Sequence, residues 1–124
     1  MSADFDVTVT VSDDSRPVVT VTVSGEFDAA RVADFEQHTA PLPQETLLTT
    51  SPRTPLQTPC VIVDLVRTSV IDSSGLGALI RFRDRCVAVG VDVRTLIGSP
   101  YQATLMTVTG LDDLLGVERI STQE

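Results

Sequence analysis

The chain has 124 residues, of which 42% are hydrophobic and only 4% aromatic, and its formal net charge is -8. This length suits one domain that buries an aliphatic core without help from metals or disulfides, so we predict a single domain over residues 1–124. The negative charge repels phosphate backbones and anionic lipids, which argues against nucleic acid binding and favours a basic partner surface.

The first half of the chain predicts two strands and a helix. Hydrophobic and polar residues alternate over residues 5–11 and again over 18–23, which is the period of half-buried strands. The short turn between them predicts an antiparallel hairpin. Asp28 is placed to cap a helix that begins at Ala29 and ends near Thr39.

Residues 40–59 differ in composition from the rest of the chain, because five of them are proline and five are threonine. Proline at this density interrupts helices and strands. We therefore predict a loop or a mobile linker here. Since it follows the first helix, it should lie at the end of the sheet opposite Ser74.

The second half of the chain predicts strands that alternate with helices. The apolar run at 60–66 is typical of a buried central strand, and helical spacing follows from about Ser74 to Val89. A further strand at 91–97 precedes a second such helix, and a small strand at 117–120 comes last.

Local signals mark the ends of these helices. Gly90 follows the first of them as a C′ residue, Ser99 and Pro100 are a typical helix start, and Gly110 ends the last helix. The predicted order is β-β-α-β-α-β-α-β. It indicates an α/β fold, a mixed sheet with an antiparallel N-terminal edge, parallel later strands and helices packed on it.

Residues that could support catalysis or hold a metal are scarce. Ser73 or Ser74 would need a nearby base to act as a nucleophile, and the single histidine, His38, lies on the predicted first helix. There is no Gly-x-Ser-x-Gly elbow, no phosphate-binding loop with its lysine and no set of metal ligands. We expect a protein that is not an enzyme and needs no metal or cofactor.

No stretch of the sequence reaches the apolar length of a membrane span, and the acidic first residues do not resemble a secretion signal. We therefore expect a cytoplasmic protein without membrane contact.

Cys60 should lie at the start of its strand, which rises about 23 Å toward the serines. Cys86 should lie about 18 Å back along the following helix, hence at the same end of the layer. Two reduced thiols are expected in the cytoplasm, and a redox pair is the alternative.

The segment VIDSSGLGALI, residues 70–80, places two hydroxyls where a strand gives way to a helix. Helix N-termini expose unpaired N–H groups, which Asp72, Ser73 or both can cap. The alternative is that one serine accepts a phosphate. The N–H groups would stabilise it, and its charge would alter the docking of a partner.

These segments resemble the STAS domain family, and most of all the bacterial anti-sigma factor antagonists. The resemblance extends from about residue 5 to 120, although Phe27 stands where leucine is usual and the 40–59 segment is longer than usual. The residues that carry it are VIVDL at 61–65, VIDSSGLG at 70–77, GEFD at 25–28, and the last helix with its Ser99-Pro100 start and Gly110-Leu111 end.

The resemblance implies a STAS-like fold and a binding function. Such antagonists bind an anti-sigma factor, usually a serine kinase, and so release a sigma factor. The kinase phosphorylates one serine, which matches Ser74, and a phosphatase reverses the change. The implied partner surface consists of Asp28, Asp72, Ser73, Ser74, Gly75, Leu76, Gly77, Gly98 and Ser99. The alternatives are a STAS module that serves as a signalling scaffold, a transport accessory subunit or a small-ligand sensor.

Overall fold

The structure, a computed structural model, describes residues 5–12, 18–49 and 59–120, with the backbone alone at 48 and 49. In chain order its elements are β1 (Asp6–Val11), β2 (Val19–Phe27), a 3₁₀ turn (Ala29–Arg31), α1 (Val32–Thr39), α2 (Leu42–Thr49), β3 (Cys60–Asp64), β4 (Thr68–Ile71), α3 (Ser73–Ala88), β5 (Asp92–Ile97), α4 (Pro100–Thr109) and β6 (Val117–Arg119).

The strands form a mixed sheet in the order β1-β2-β3-β5-β6, and β4 pairs with the end of β2. The β1–β2 pair is antiparallel, and every other described pair is parallel. Strand β2 is long enough to pair with both β3 and β4 along one side. This arrangement confirms the predicted α/β sheet with an antiparallel N-terminal edge and parallel later strands.

The core lies between the sheet and the helices that cover it. Strand β2 buries alternate residues, and the last of these, Phe27, contacts Phe35 of α1 with ring centroids 5.0 Å apart. Phe35 in turn meets Phe82 of α3 edge-on at 6.0 Å. Three of the few aromatic residues thus link the sheet to two helices. Among the described residues, no helix is both long and apolar enough to cross a membrane.

The prediction of a loop over residues 40–59 is wrong for Leu42–Thr49, which forms helix α2. Pro43 is the second residue of this helix, and residues in the first turn have no intrahelical N–H bond to lose. Leu42 and Thr46, four residues apart, are both buried. Burial of this face offsets the poor helix propensity of the segment. A prediction from the number of prolines does not take this burial into account.

Helix α2 lies at the C-terminal end of α3. Residues of α2 and of the turn before it, including Pro41 and Glu45, line a groove together with Arg85 and Val89 of α3. This agrees with the expectation that the segment lies away from Ser74. The rest of the proline-rich segment, residues 50–58, lies outside the described residues.

The predicted order of elements also lacks β4. Strand β3 ends at Asp64 and β4 begins at Thr68, and the tight turn between them closes with a bond from the Thr68 N–H to the Leu65 carbonyl at 2.9 Å. No glycine or proline marks this turn. The sequence therefore reads as one apolar run, although the turn interrupts the strand and β4 pairs with a later part of β2 than β3 does.

Gln102 of α4 fixes the turn between β3 and β4. Its side chain is 1% exposed, and its Nε2 donates to the carbonyls of Leu65 and Thr68 at 2.5 and 2.8 Å. Its Oε1 accepts from the N–H groups of Gly98 and Ser99 at 2.8 and 3.3 Å. All the donors and acceptors of the amide are used, so one side chain ties the turn to the start of α4.

We expect Gln102→Glu to lower the free energy of unfolding by about 3 kcal/mol, because a carboxylate would face two carbonyl oxygens and lose both donors. Urea denaturation at neutral pH measures the change. Gln44→Glu is the matched control, since Gln44 is exposed on α2 and should change stability by no more than about 0.5 kcal/mol. Equal effects at the two positions would show that the buried amide does not hold the turn.

Candidate functional site

Asp72 joins the start of α3 to the loop that follows β2. Its Oδ1 accepts from the Gly75 N–H at 3.0 Å and so caps the helix, while its Oδ2 accepts from the Ala29 N–H at 3.3 Å. The Asp72 N–H donates to the Phe27 carbonyl at 3.2 Å. One residue thus satisfies donors in two elements and fixes the distance between them.

Asp28 caps the 3₁₀ turn that leads into α1. Its Oδ1 accepts from the Ala30 N–H at 3.1 Å, which confirms that a helical segment begins at Ala29 under an Asp28 cap. Because Ala29 is also the residue bound by Asp72, the structure brings the two aspartates to neighbouring loops. Both carboxylates accept hydrogen bonds from backbone N–H groups.

The structure assigns the cap of α3 to Asp72 and not to Ser73. Ser73 is the first residue of the helix and is exposed, and Ser74, the second, is half-buried. Within the described part of the chain, neither hydroxyl has a hydrogen-bond partner. Both are therefore available to a molecule outside the chain.

The two serines line a cleft of about 280 Å³ between the start of α3 and the 3₁₀ turn. Its other walls are Ala29, Val32, Gly77 and Arg81. The Arg81 guanidinium bonds to the Glu36 carboxylate of α1, with Nε and Nη2 both 3.1 Å from Oε2. The cleft therefore combines two open hydroxyls with one cation.

The two glycines that follow the serines have different surroundings. A Cβ on Gly75 would lie 2.6 Å from the Phe27 carbonyl oxygen, so the absence of a side chain lets α3 approach β2 this closely. A Cβ on Gly77 would meet only the end of the Arg81 side chain, at 3.3 Å. Gly75 and Leu76 are buried, and they shape the surface of the site from beneath.

Gly98 and Ser99 belong to the start of α4. Ser99 caps this helix, accepting from the Gln102 N–H at 3.1 Å, which confirms the predicted helix start. The Tyr101 hydroxyl lies 3.4 Å from both the N–H and the carbonyl of Ile71, the residue before Asp72. The start of α4 thus packs against the strand that leads into the serine segment.

Sequence reasoning missed Arg81, Glu36 and the second bond of Asp72. Arg81 follows Ser74 by seven residues, a spacing that returns to the same face of a helix after two turns. That spacing could have drawn attention to Arg81. Glu36 and Ala29 reach the site from a separate part of the chain, and no local pattern identifies them.

The two cysteines are free thiols. Cys60, at the start of β3, places its Sγ 3.6 Å from the Val61 carbonyl, and Cys86 is fully buried. Burial raises the pKa of Cys60 above its ordinary value and raises the pKa of Cys86 to about 12. The Arg85 guanidinium opposes this rise in the pKa of Cys86, and negative charge on Cys60 contributes to it. Protonated thiols oxidise slowly, so the redox pair stays a prediction without added support.

The family model for the STAS domain matches residues 8–123. This chain belongs to the STAS domain family. No curated protein matches it by sequence.

Several solved structures share its fold. An anti-sigma factor antagonist from Mycobacterium paratuberculosis is 24% identical, with a TM-score of 0.68 over 94% of this chain and 89% of that one. The Bacillus cell fate determinant SpoIIAA in its phosphorylated form is 20% identical, with a TM-score of 0.57 over 93% of each chain. The murine anion transporter Solute Carrier 26 family member A9 is 16% identical, with a TM-score of 0.54 over 92% of this chain and 20% of that one. At these identities the likeness shows the fold alone.

The two glycines of this STAS domain give a matched pair of variants. Gly75→Ala should lower the free energy of unfolding by about 1–3 kcal/mol, because the new methyl group collides with the Phe27 carbonyl. Gly77→Ala should leave stability unchanged or raise it by up to about 1 kcal/mol, since alanine is the better helix former. Urea denaturation compares the two. Similar losses at both positions would contradict the close approach at Gly75.

The thiols should react slowly in the folded protein. With a pKa of about 12, Cys86 carries ~10³-fold less thiolate than an ordinary cysteine, so iodoacetamide should modify it far more slowly in the native than in the urea-unfolded chain. Because the fold favours the protonated form, this contribution to stability is complete below the ordinary pKa of 9.0 and is lost as the pH rises toward 12.

Mass measurement after mild oxidation should find free thiols, and rapid formation of a disulfide would instead support the redox pair.

Proposed function

We propose that this protein is a cytoplasmic anti-sigma factor antagonist, a binding protein that is switched off by phosphorylation of Ser74. Its proposed partners are an anti-sigma factor of the serine kinase type, whose capture releases a sigma factor, and a phosphatase that restores binding. The proposal is supported by membership of the STAS family and by the fold shared with a named antagonist. The observation that carries it is the Ser74 hydroxyl, which faces an open cleft and has no hydrogen-bond partner among the described residues.

In the proposed modification, this chain is the substrate and the kinase supplies the catalytic groups. The Ser74 Oγ attacks the γ-phosphorus of ATP and forms a new P–O bond, while the bond from that phosphorus to the bridging oxygen breaks and ADP leaves. The hydroxyl proton passes to a base of the kinase. Asp72, the nearest carboxylate in sequence, already accepts two backbone N–H groups. The phosphatase returns the serine by transferring the phosphoryl group to water.

A phosphate on Ser74 would alter docking through its charge and its volume. It adds about -1.5 to -2 charge at neutral pH beside two loops that carry Asp28 and Asp72. It would also occupy the cleft and bring a hydration shell that a docking partner must displace. The phosphate therefore weakens a contact made at the start of α3 without unfolding the domain.

The proposed contact surface surrounds the cleft. Its exposed or half-exposed members are Asp28, Asp72, Ser73, Ser74, Gly77, Gly98 and Ser99. The buried Gly75 and Leu76 support this surface from within. A kinase that docks here would bring its γ-phosphate to the serines and contact both helix starts, α3 and α4, at once.

The test is a pull-down with candidate anti-sigma kinases in the presence of ATP. Ser74→Ala should bind constitutively and take up no phosphate, because the acceptor oxygen is absent. Ser74→Glu should bind at least about tenfold more weakly, since a fixed negative charge imitates part of the phosphate. Mass spectrometry of the wild-type chain locates the phosphate.

Ser73→Ala is the matched control for these variants, because it removes the neighbouring hydroxyl of the same helix turn. It should be phosphorylated and released like the wild type. Phosphate found on Ser73 or within residues 50–58, or normal binding by Ser74→Glu, would overturn the proposed switch.

A further inference from the structure

We propose that Arg81 receives the phosphate on Ser74 and leaves Glu36 to do so. This inference rests on the proposed phosphorylation of Ser74 and adds a second event to it. The phosphate would break the ion pair that now joins α1 to α3, so that modification of one hydroxyl changes the contact between two helices.

The geometry of α3 places the two residues on one face. Ser74 and Arg81 are seven residues apart, close to two full turns, which leaves their Cα atoms about 10 Å apart along the axis. The Arg81 side chain runs back toward the start of the helix, as helical side chains do. Its Nη1 would lie only 3.3 Å from a Cβ on Gly77, so the guanidinium already covers more than half of that axial distance.

The space between the two side chains is open. Ser74, Gly77 and Arg81 line the same cleft, and Gly77 has no side chain to separate them. A phosphate extends the serine by three oxygens around phosphorus and adds reach from the other side. Arg81 is the only charged residue in the lining of this cleft as the structure describes it.

The present partner of Arg81 holds it weakly. The Arg81 and Glu36 side chains are 54% and 37% exposed, and an ion pair as exposed as this one contributes little to stability because water screens it. A phosphate offers more negative charge than a carboxylate and three strong acceptor oxygens, which suit the planar donors of a guanidinium. The exchange therefore gives up a weak pair for a stronger one.

The test uses the full chain with phosphoserine inserted at position 74 during translation, and phosphorus NMR follows the titration of the phosphate. Arg81 should stabilise the dianion, so the pKa of the second ionisation should be lower with Arg81 than in Arg81→Gln by about 0.5 or more. Glu36→Gln, which frees Arg81, should leave that pKa equally low or lower it further.

Arg83→Gln is the matched control. Arg83 lies on the same helix and pairs with Asp84, but nine residues from Ser74 place it on about the opposite side of the helix. The phosphate pKa should not change in this variant. The proposal is overturned if Arg81→Gln leaves the phosphate pKa at the wild-type value, or if Arg83→Gln shifts it as much.

Nitrogen NMR of the Arg81 Nε–H gives a second readout, which a general effect of charge would not produce. In the unmodified protein this resonance should move when Glu36 is replaced by glutamine. In the phosphoserine protein it should no longer respond to that replacement, and a response of the same size would overturn the exchange. Because the phosphoserine is installed without a kinase, a kinase that ignores Ser74 would defeat the proposed function and leave these measurements unaffected.

Discussion

The candidate site depends on the Asp72 carboxylate, whose two oxygens accept hydrogen bonds from two different elements. One oxygen caps α3 and the other holds the Ala29 N–H, while the Asp72 backbone binds the Phe27 carbonyl. These bonds draw the helix start so close to the end of β2 that only a glycine fits at position 75. With Asp72 occupied as the cap, the serines that follow are released from that task, and their hydroxyls face the cleft instead.

The features that could be predicted from the sequence are those with local causes. The Asp28 and Ser99 caps and the left-handed Gly110, at φ 72°, each follow from the chemistry of one residue and its close neighbours. Helix α2 could not be predicted this way, because it depends on burial of Leu42 and Thr46 by distant parts of the chain. Strand β4 was missed because the turn before it carries no glycine or proline.

The candidate site likewise has a part with local causes and a part that depends on contacts between distant residues. Asp72 and the two serines are neighbours in sequence, so their junction was visible as a motif. The contacts that complete the site, Asp72 to Ala29 and Arg81 to Glu36, join residues 43 and 45 positions apart. They exist because parallel pairing of β2 and β4 sets the starts of α1 and α3 side by side. The neighbouring positions of α1 and α3 can be predicted only when the order of strands in the sheet is known. Hydrophobic periodicity along the chain does not reveal that order.

Two adjacent serines line one cleft, yet the helix distinguishes them. Successive residues of an α-helix are rotated by about 100° around its axis. Ser74 therefore lies within about 20° of Arg81, whereas Ser73 lies about 80° from it, although both serines border Gly77. A negative group on Ser74 would therefore stand almost in line with Arg81 along the helix, whereas one on Ser73 would lie nearly a quarter-turn aside. The proposal of Ser74 thus has a physical basis in this chain apart from its match to the family motif. The cation seven residues later makes the second hydroxyl the better place to add charge.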